Sequence, residues 1–269
     1  MRIATFNANS VRSRLAAVLA WLTEQRPDIL CLQETKATDA DFPAAAFEQA
    51  GWHAAFRGEK SYNGVAVLSR VAPDRVRFGF DDGGPADETR LIHAEYGALH
   101  VVNTYVPQGR EIEHAMYAYK LEWFRRLKAL FARRFAPRTR VVWLGDLNVA
   151  PEPMDVHNPE RQAGHVCYHE AVRAAFADTV GWGFQDVFRK HCPQPGLFSF
   201  FDYRTRGAVA RKMGWRIDHI LATAPQADLS RGAGIDLAPR LREKPSDHTF
   251  MFADFTEPAA ARCVRYGNP

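Results

Sequence analysis

The run Val141-Val142-Trp143-Leu144 is short, apolar and rich in β-favouring side chains, and it breaks at once into Gly145-Asp146-Leu147-Asn148. A run of this kind reads as a buried strand, which other layers must cover. Its polar end is equally informative. Alternation along a strand would put Asp146 and Asn148 on one side of the backbone. Gly145 permits a bend or a close approach to a ligand. An aspartate can bind a hard cation or take a proton from water, and an adjacent asparagine can orient that water or hold a phosphate oxygen. Taken alone, the tetrapeptide reads more readily as a turn, because Gly, Asp and Asn are turn formers. The other strand ends of the chain decide between these readings.

Similar runs recur. Ile3–Phe6, Ile29–Leu32 and Val65–Ser69 read as strands. Between the first two lies a helix that Ser10 can cap, with Val11, Leu15, Val18, Leu19 and Leu22 on one face, and Pro27 closes it. Leu91–Glu95 and Leu99–Tyr105 form a hairpin turning at Tyr96-Gly97. A long helix over Ile112–Phe135 carries the stripe Met116, Tyr119, Trp123, Leu127, Leu130 and Phe131. A second runs over His169–Val180, with Val172, Phe176 and Val180 on one face. Phe198–Tyr203, Ile217–Ala222 and Phe250–Phe255 read as further strands. The mixture predicts an α/β fold with a mixed sheet and helices outside.

The bulk properties fit one domain over residues 1–269, with a core of about 1–256 and a short C-terminal tail. Hydrophobic residues make up 46% of the 269, enough for a sizeable core. No apolar run is long enough for a membrane span, and the N-terminus lacks a signal-peptide pattern. Cys31, Cys167, Cys192 and Cys263 show no paired metal-ligand spacing, which favours a reducing cytoplasm. Nothing calls for more than a monomer. The formal net charge of +4 suits a polyanionic partner. Arg204, Arg206, Arg211, Lys212 and Arg216 lie among Phe198, Phe200, Phe201, Tyr203 and Trp215. Basic residues interleaved with aromatics suit phosphate contact and stacking. The clusters Arg133, Arg134, Arg138, Arg140 and Arg240, Arg242, Lys244 are also basic, and the first of these reads as solvated surface.

Six strand ends carry polar groups: Asn7 and Asn9; Gln33-Glu34-Thr35-Lys36; Tyr105 before Pro107; Asp146 and Asn148; Asp218-His219; and Ser246-Asp247-His248. Loops on a rigid sheet end are where sites are built. The acids Glu34, Asp146, Asp218 and Asp247 are hard oxygen ligands or bases, pointing to Mg²⁺ or Mn²⁺ and away from zinc. A histidine such as His248, held by an acid, can bind a phosphoryl oxygen. The implied chemistry is metal-assisted hydrolysis of a phosphate ester. No P-loop, dinucleotide fingerprint or Gly-x-Ser-x-Gly is present, so no nucleotide cofactor is expected.

The ordered set Asn7, Gln33-Glu34-Thr35-Lys36, Tyr105-Val106-Pro107-Gln108-Gly109, Gly145 to Pro151, Trp215-Arg216-Ile217-Asp218 and Ser246-Asp247-His248 resembles the exonuclease III family of apurinic/apyrimidinic (AP) endonucleases. That family lies within the endonuclease/exonuclease/phosphatase superfamily. The resemblance implies a four-layer α/β sandwich, two mixed β-sheets packed face to face with helices outside. It implies Mg²⁺-dependent cleavage of double-stranded DNA 5′ to an abasic site, with 3′-to-5′ exonuclease and 3′-phosphodiesterase activity at 3′ ends. By the same resemblance, Glu34 is the principal metal ligand, with Asn9 and Asp247 close by. Asp146 prepares the attacking water, helped by Asn148 and Asn7. His248, paired with Asp218, holds the scissile phosphate, and Tyr105 contacts it or the leaving group. Phe200 and Trp215 would wall a pocket for a flipped abasic sugar, and Arg110 and Arg204 would insert beside the lesion. Asp155 and His157 would order the loop after Asn148, whereas His165, His169 and His191 read as surface or helix residues, and His219 as structural or surface. Some positions depart from the family pattern: Ser10 stands where glycine is usual, which a capping role explains, and Phe200-Phe201 stands where many bacterial members have two tryptophans. Other readings are a superfamily phosphoesterase acting on inositol phosphates, sphingomyelin or RNA, or a DNA-binding module without catalysis.

Overall fold

A computed structural model describes residues 1–256; the tail, with Cys263, lies outside the described residues. In chain order the elements are β1 (Arg2–Asn7), α1 (Val11–Gln25), β2 (Ile29–Gln33), α2 (Ala44–Gln49), β3 (His53–Arg57), β4 (Val65–Ser69), β5 (Arg75–Phe78), β6 (Leu91–Tyr96), β7 (Leu99–Tyr105), α3 (Ala115–Arg134), β8 (Arg140–Asp146), α4 (Pro159–Gln162), α5 (Glu170–Val180), β9 (Phe184–Asp186), α6 (Val187–His191), β10 (Asp218–Thr223), α7 (Ala224–Ala227), β11 (Ser230–Asp236) and β12 (Phe250–Phe255). They form two six-stranded sheets, ordered β11-β12-β1-β2-β4-β3 and β5-β6-β7-β8-β10-β9. The pairs β1/β2 and β7/β8 are parallel and the rest antiparallel, so both sheets are mixed.

Alternation sorts each strand between two cores. Ile3, Cys31 and Val67 of one sheet meet Ile92, Val101, Val142, Leu144 and Ile220 of the other in the space between them. The opposite face of the first sheet, with Ala4, Phe6, Leu30 and Leu32, packs on Trp21 and Leu22 of α1. The opposite face of the second sheet, with Val141 and Trp143, packs on Trp123, Leu127 and Phe131 of α3 and Phe176 of α5. The layers are therefore helix, sheet, sheet, helix, as the resemblance implied. Among the described residues, no helix is long and apolar enough to cross a membrane.

Some local readings change. Phe198–Tyr203 is not a strand: only Phe200 makes isolated bridges, to Trp215 and His248. Phe198 and Phe201 turn away into a small cluster with Ala208, so the aromatics do not alternate on a ladder. The long helix begins at Ala115, where His114 accepts from the Met116 amide, and not at Ile112. The strands β3, β5, β9 and β11 have no forecast in the sequence, and they are the four sheet edges. Ser10 does sit before α1, but its Oγ lies 3.5 Å from the Ser13 nitrogen, a weak cap. Its φ of 89° belongs to the region glycine favours, so the backbone here is one that a glycine would adopt without strain.

The fold also sets one pH response. His93 is buried under Phe135 and joined to His100 by a 3.0 Å Nε2–Nδ1 hydrogen bond. Burial, with His100 and Arg134 nearby, lowers its pKa from 6.5 to about 3. The unfolded chain therefore binds a proton below pH 6.5 that the folded chain refuses, and His93 costs stability as pH falls from 6.5 toward 3. The slope is at most about 1.4 kcal/mol per pH unit. Urea melts of wild type and His93→Leu at pH 7 and pH 5 check this. The variant should lose less stability on acidification than wild type.

Candidate active site

Sheet register brings the acids together. Asp146, the last residue of β8, stands directly across from Asp218 on β10 and beside Tyr105 on β7. Asn7, ending β1 beside Gln33 of β2, meets them from the other sheet. The chain then bends sharply on both sides: Asn9, Glu34, Lys36 and Asn148 have φ between 43° and 50°. Left-handed backbone at four non-glycine residues costs on the order of 1 kcal/mol or more each, and such strain gathers where side chains must be aimed.

The side chains interlock. Asn7 Nδ2 donates to Glu34 Oε1 and to Asp146 Oδ2, both at 2.8 Å. Asn9 Nδ2 donates to Asp247 Oδ1 at 3.0 Å, while its own oxygen accepts from Lys36 Nζ at 2.6 Å. The same ammonium lies 2.8 Å from Glu34 Oε2. His248 Nδ1 binds Asp218 Oδ2 at 2.8 Å, and its Nε2 lies 3.7 Å from Asp146 Oδ2. Ser246 Oγ donates to the Asn7 carbonyl at 2.8 Å and accepts from the His248 amide at 3.2 Å, locking the two ends together.

Burial drives the electrostatics. Asp146 is fully buried, and desolvation, with Asp218 and Glu34 close by, raises its pKa against the pull of His248. For His248 burial acts downward, but the carboxylates of Asp218 and Asp146 outweigh it and the net shift is upward. A proton entering the pair thus rests on His248, and Asp146 keeps an unusually basic carboxylate. Desolvation also works upward on Glu34, yet Lys36 and Asn7 bring the net shift down, so it is held as an anion. Tyr105 is raised well above the usual phenol range by burial and by the charges of Glu34 and Asp146, and it remains a proton donor.

Asn148 reaches the site by a different route from strand alternation. β8 ends at Asp146, and Asn148 turns back so that its amide N–H donates to Asp146 Oδ1 at 3.0 Å. Its Nδ2 donates to the Val106 carbonyl at 3.0 Å. Gly145 serves the protein and not a ligand: with φ 135°, a Cβ there would meet the Thr104 oxygen at 2.0 Å.

Glu34, Tyr105, Asp146, Asn148, Asp247 and His248 line a cavity of about 240 Å³, walled by Phe200, Trp215 and Ile217. Phe200 lies 4.9 Å from the His248 ring, centre to centre. Arg204 stands at the rim, largely exposed and paired with Asp202 at 2.7 Å. Arg110 is not among the cavity residues; it is exposed on the loop before α3. A larger groove of about 870 Å³ lies against α5, but none of these acids opens into it.

The sequence missed several wall residues. Gln108, His165, Cys167 and Asp202 line the cavity, and the His165 ring packs 4.6 Å from that of Trp215. The exposed face of His165 is therefore site wall, a placement that local pattern does not reveal. Arg216 is no phosphate contact: it is buried between Asp155, at 2.7 Å, and Asp186, at 2.8 Å. Asp155 also holds Arg189, and His157 Nδ1 lies 3.1 Å from the Gly214 carbonyl, so both order the loop as expected. His219 is structural and fully buried, 2.8 Å from the Val149 carbonyl. Arg133 and Arg134 pair with Asp81.

The donor chemistry fits a hard divalent cation. Glu34, Asp247 and the Asn9 amide offer oxygen, and the Lys36 ammonium already rests against two of them. Asp146, Asp218 and His248 also bring donor atoms within 4.8 Å of one another, but His248 Nδ1 is committed to Asp218. The first set is the better cradle.

Residues 4–248 match the endonuclease/exonuclease/phosphatase family. The chain belongs to that family. It is 33% identical to exodeoxyribonuclease III of Haemophilus influenzae over 267 residues, 95% of this chain and 100% of the relative. It is 31% identical to an exodeoxyribonuclease of Bacillus subtilis, covering 83% of this chain and 88% of that one. Among solved structures, an AP endonuclease from Archaeoglobus fulgidus superposes with a TM-score of 0.94 at 48% identity, covering 96% of this chain and 100% of that one. A Neisseria 3′ phosphatase bound to a product DNA hairpin gives 0.90 at 37% identity, over 96% and 100% of the two chains. The family member is thus an enzyme of the exonuclease III type.

Proposed function

We propose that this protein is a Mg²⁺-dependent DNA repair nuclease that hydrolyses the phosphodiester 5′ to an abasic site, with 3′-end processing by the same site. The observation that carries this reading is Asp146. It is buried between Asn7 and the His248–Asp218 pair and lines a polar cavity that Phe200 and Trp215 wall on one side. When bound by Glu34, Asp247 and Asn9, the cation would polarise a phosphate oxygen.

The chain's own residues do the rest. Asp146 accepts a proton from the water that attacks phosphorus, its two oxygens fixed by Asn7 Nδ2 and the Asn148 amide. Protonated His248 donates to a non-bridging oxygen, where negative charge grows. The Tyr105 hydroxyl stands within the same cavity to donate to the phosphate or leaving oxygen. Phe200 and Trp215 offer a narrow apolar wall to an extruded sugar that carries no base, and such a nucleotide is the cheapest to unstack. Arg204 at the rim suits the flanking phosphates. Activity at 3′ ends uses the same ester chemistry, and the Neisseria relatives described as a 3′-5′ exonuclease and a 3′ phosphatase support it.

A duplex with one abasic-site analogue tests the reading. Mg²⁺ should give a single nick 5′ to the analogue, EDTA should abolish it, and Mg²⁺ in excess should restore it. No incision with stoichiometric protein and Mg²⁺ would overturn the proposal.

A further inference from the structure

Lys120 stands on the apolar face of α3, four residues after Met116 and three before Trp123, and is fully buried. A lysine in that place must place its three ammonium hydrogens on acceptors, because an unpaired buried cation is too costly to keep. Its Nζ donates to the Gln108 carbonyl at 3.1 Å, the Asn148 carbonyl at 2.6 Å and the Val166 carbonyl at 2.9 Å. These carbonyls belong to three separate loops: the one after β7 that follows Tyr105, the one after β8 that follows Asp146, and the one before α5. Each loop contributes cavity wall, through Gln108, Asn148, and His165 with Cys167.

We propose that Lys120 is a positioning residue: its ammonium clasps the three loops so that Asn148, in its left-handed turn, keeps its amide on Asp146. This rests on the reading of the cavity as the hydrolytic site. The link is short. The Asn148 carbonyl is held by Lys120, its φ is 50°, and its amide N–H is the 3.0 Å donor to Asp146 Oδ1. The neighbouring ties converge on the same turn. The Val106 amide donates to the Asp146 carbonyl at 3.0 Å, and the Ala150 amide to the Cys167 carbonyl at 2.7 Å. Without the ammonium, the Gln108, Asn148 and Val166 carbonyls lose this donor together, and the strained turn loses one of the ties that oppose its relaxation. The loss falls on the aim of Asp146 and not on the exposed surface that meets DNA.

Lys120→Met keeps an unbranched apolar stem and removes all three donors. The expected result is a kcat for the abasic duplex lower by about tenfold to a hundredfold, the scale for a small misplacement of a reacting group, with DNA affinity in EDTA within twofold of wild type. Hydrogen exchange at the Val106, Asn148 and Ala150 amides should quicken together. Lys120→Arg keeps the charge but cannot set one nitrogen among three carbonyls, so its kcat should fall between the other two. Thr179→Val removes a buried hydroxyl donor on α5 and should lower stability without changing kcat. A Lys120→Met kcat within twofold of wild type, or unchanged exchange at those amides, would overturn the assignment. If Lys120→Met does not fold, Lys120→Arg decides: wild-type kcat and exchange overturn it. If wild type itself does not cut the abasic duplex, the functional reading fails, and the exchange data still decide the clasp.

Discussion

Asparagine in place of Asp146 is expected to lower the incision rate by at least about a hundredfold, the usual scale for a positioned base, while the protein stays folded. The side chain keeps its volume, and an amide oxygen can still accept from the Asn148 amide that now holds Asp146 Oδ1. It cannot take a proton from water. Stability should change little, because the lost acceptor for Asn7 Nδ2 offsets the relief of a buried charge. Burial lifts the folded pKa of Asp146 above its ordinary value, so the charged form costs free energy at neutral pH, and asparagine carries no such cost. DNA affinity should also rise, since one buried negative charge facing phosphate is gone. Single-turnover incision, fluorescence anisotropy with abasic duplex and a thermal melt at pH 8 measure the three effects. Incision within tenfold of wild type would remove Asp146 from the base role.

Asp218→Asn should cost nearly as much, by a different route. Asp218 touches no open part of the cavity wall; it acts through the 2.8 Å bond to His248 Nδ1. Its charge is a main reason His248 holds a proton despite burial. Removing that charge lowers the His248 pKa, so at alkaline pH the imidazole becomes neutral and cannot donate through both nitrogens. The analogous loss of a buried acid behind a catalytic histidine in serine proteases reaches about 10⁴-fold, and a loss of roughly 10²- to 10⁴-fold is expected here. The pH profile separates this from misfolding. As pH falls from 8.5 to 6, His248 in the variant regains its proton, so the ratio of variant to wild-type rate should rise. A ratio independent of pH would show that Asp218 only packs.

The strands that the sequence revealed are the central ones. β1, β2, β4, β6, β7, β8, β10 and β12 face packed layers, so their apolar runs are near-continuous. The four missed strands are edges, and edges carry charge and glycine in place of a pattern: Arg75 and Arg77 on β5, and Gly232 with Gly234 on β11. The Phe198–Tyr203 segment failed for the opposite reason. Its aromatics satisfy three different surroundings, cavity wall, small cluster and solvent, so their density says nothing of a ladder. Arg216 shows the limit of charge patterning, because a basic run cannot tell which member will find buried acids.

By itself the sequence determined the residue types at each strand end: hard oxygen donors, amides, two histidines and a tyrosine, all in an order resembling the exonuclease III family. That chemistry is local, carried by side chains any one of which could also end a strand as a turn former, but whose recurrence at six strand ends a turn does not require. Only the tertiary structure decided which of them meet. Register set Asp146 across from Asp218, packing of the two sheets brought Asn7 to Asp146 Oδ2, and a left-handed turn held by Lys120 brought Asn148 back to it. Those contacts join residues up to 139 positions apart, and their distances follow from sheet twist, layer packing and buried charge, none of which is encoded at any single position.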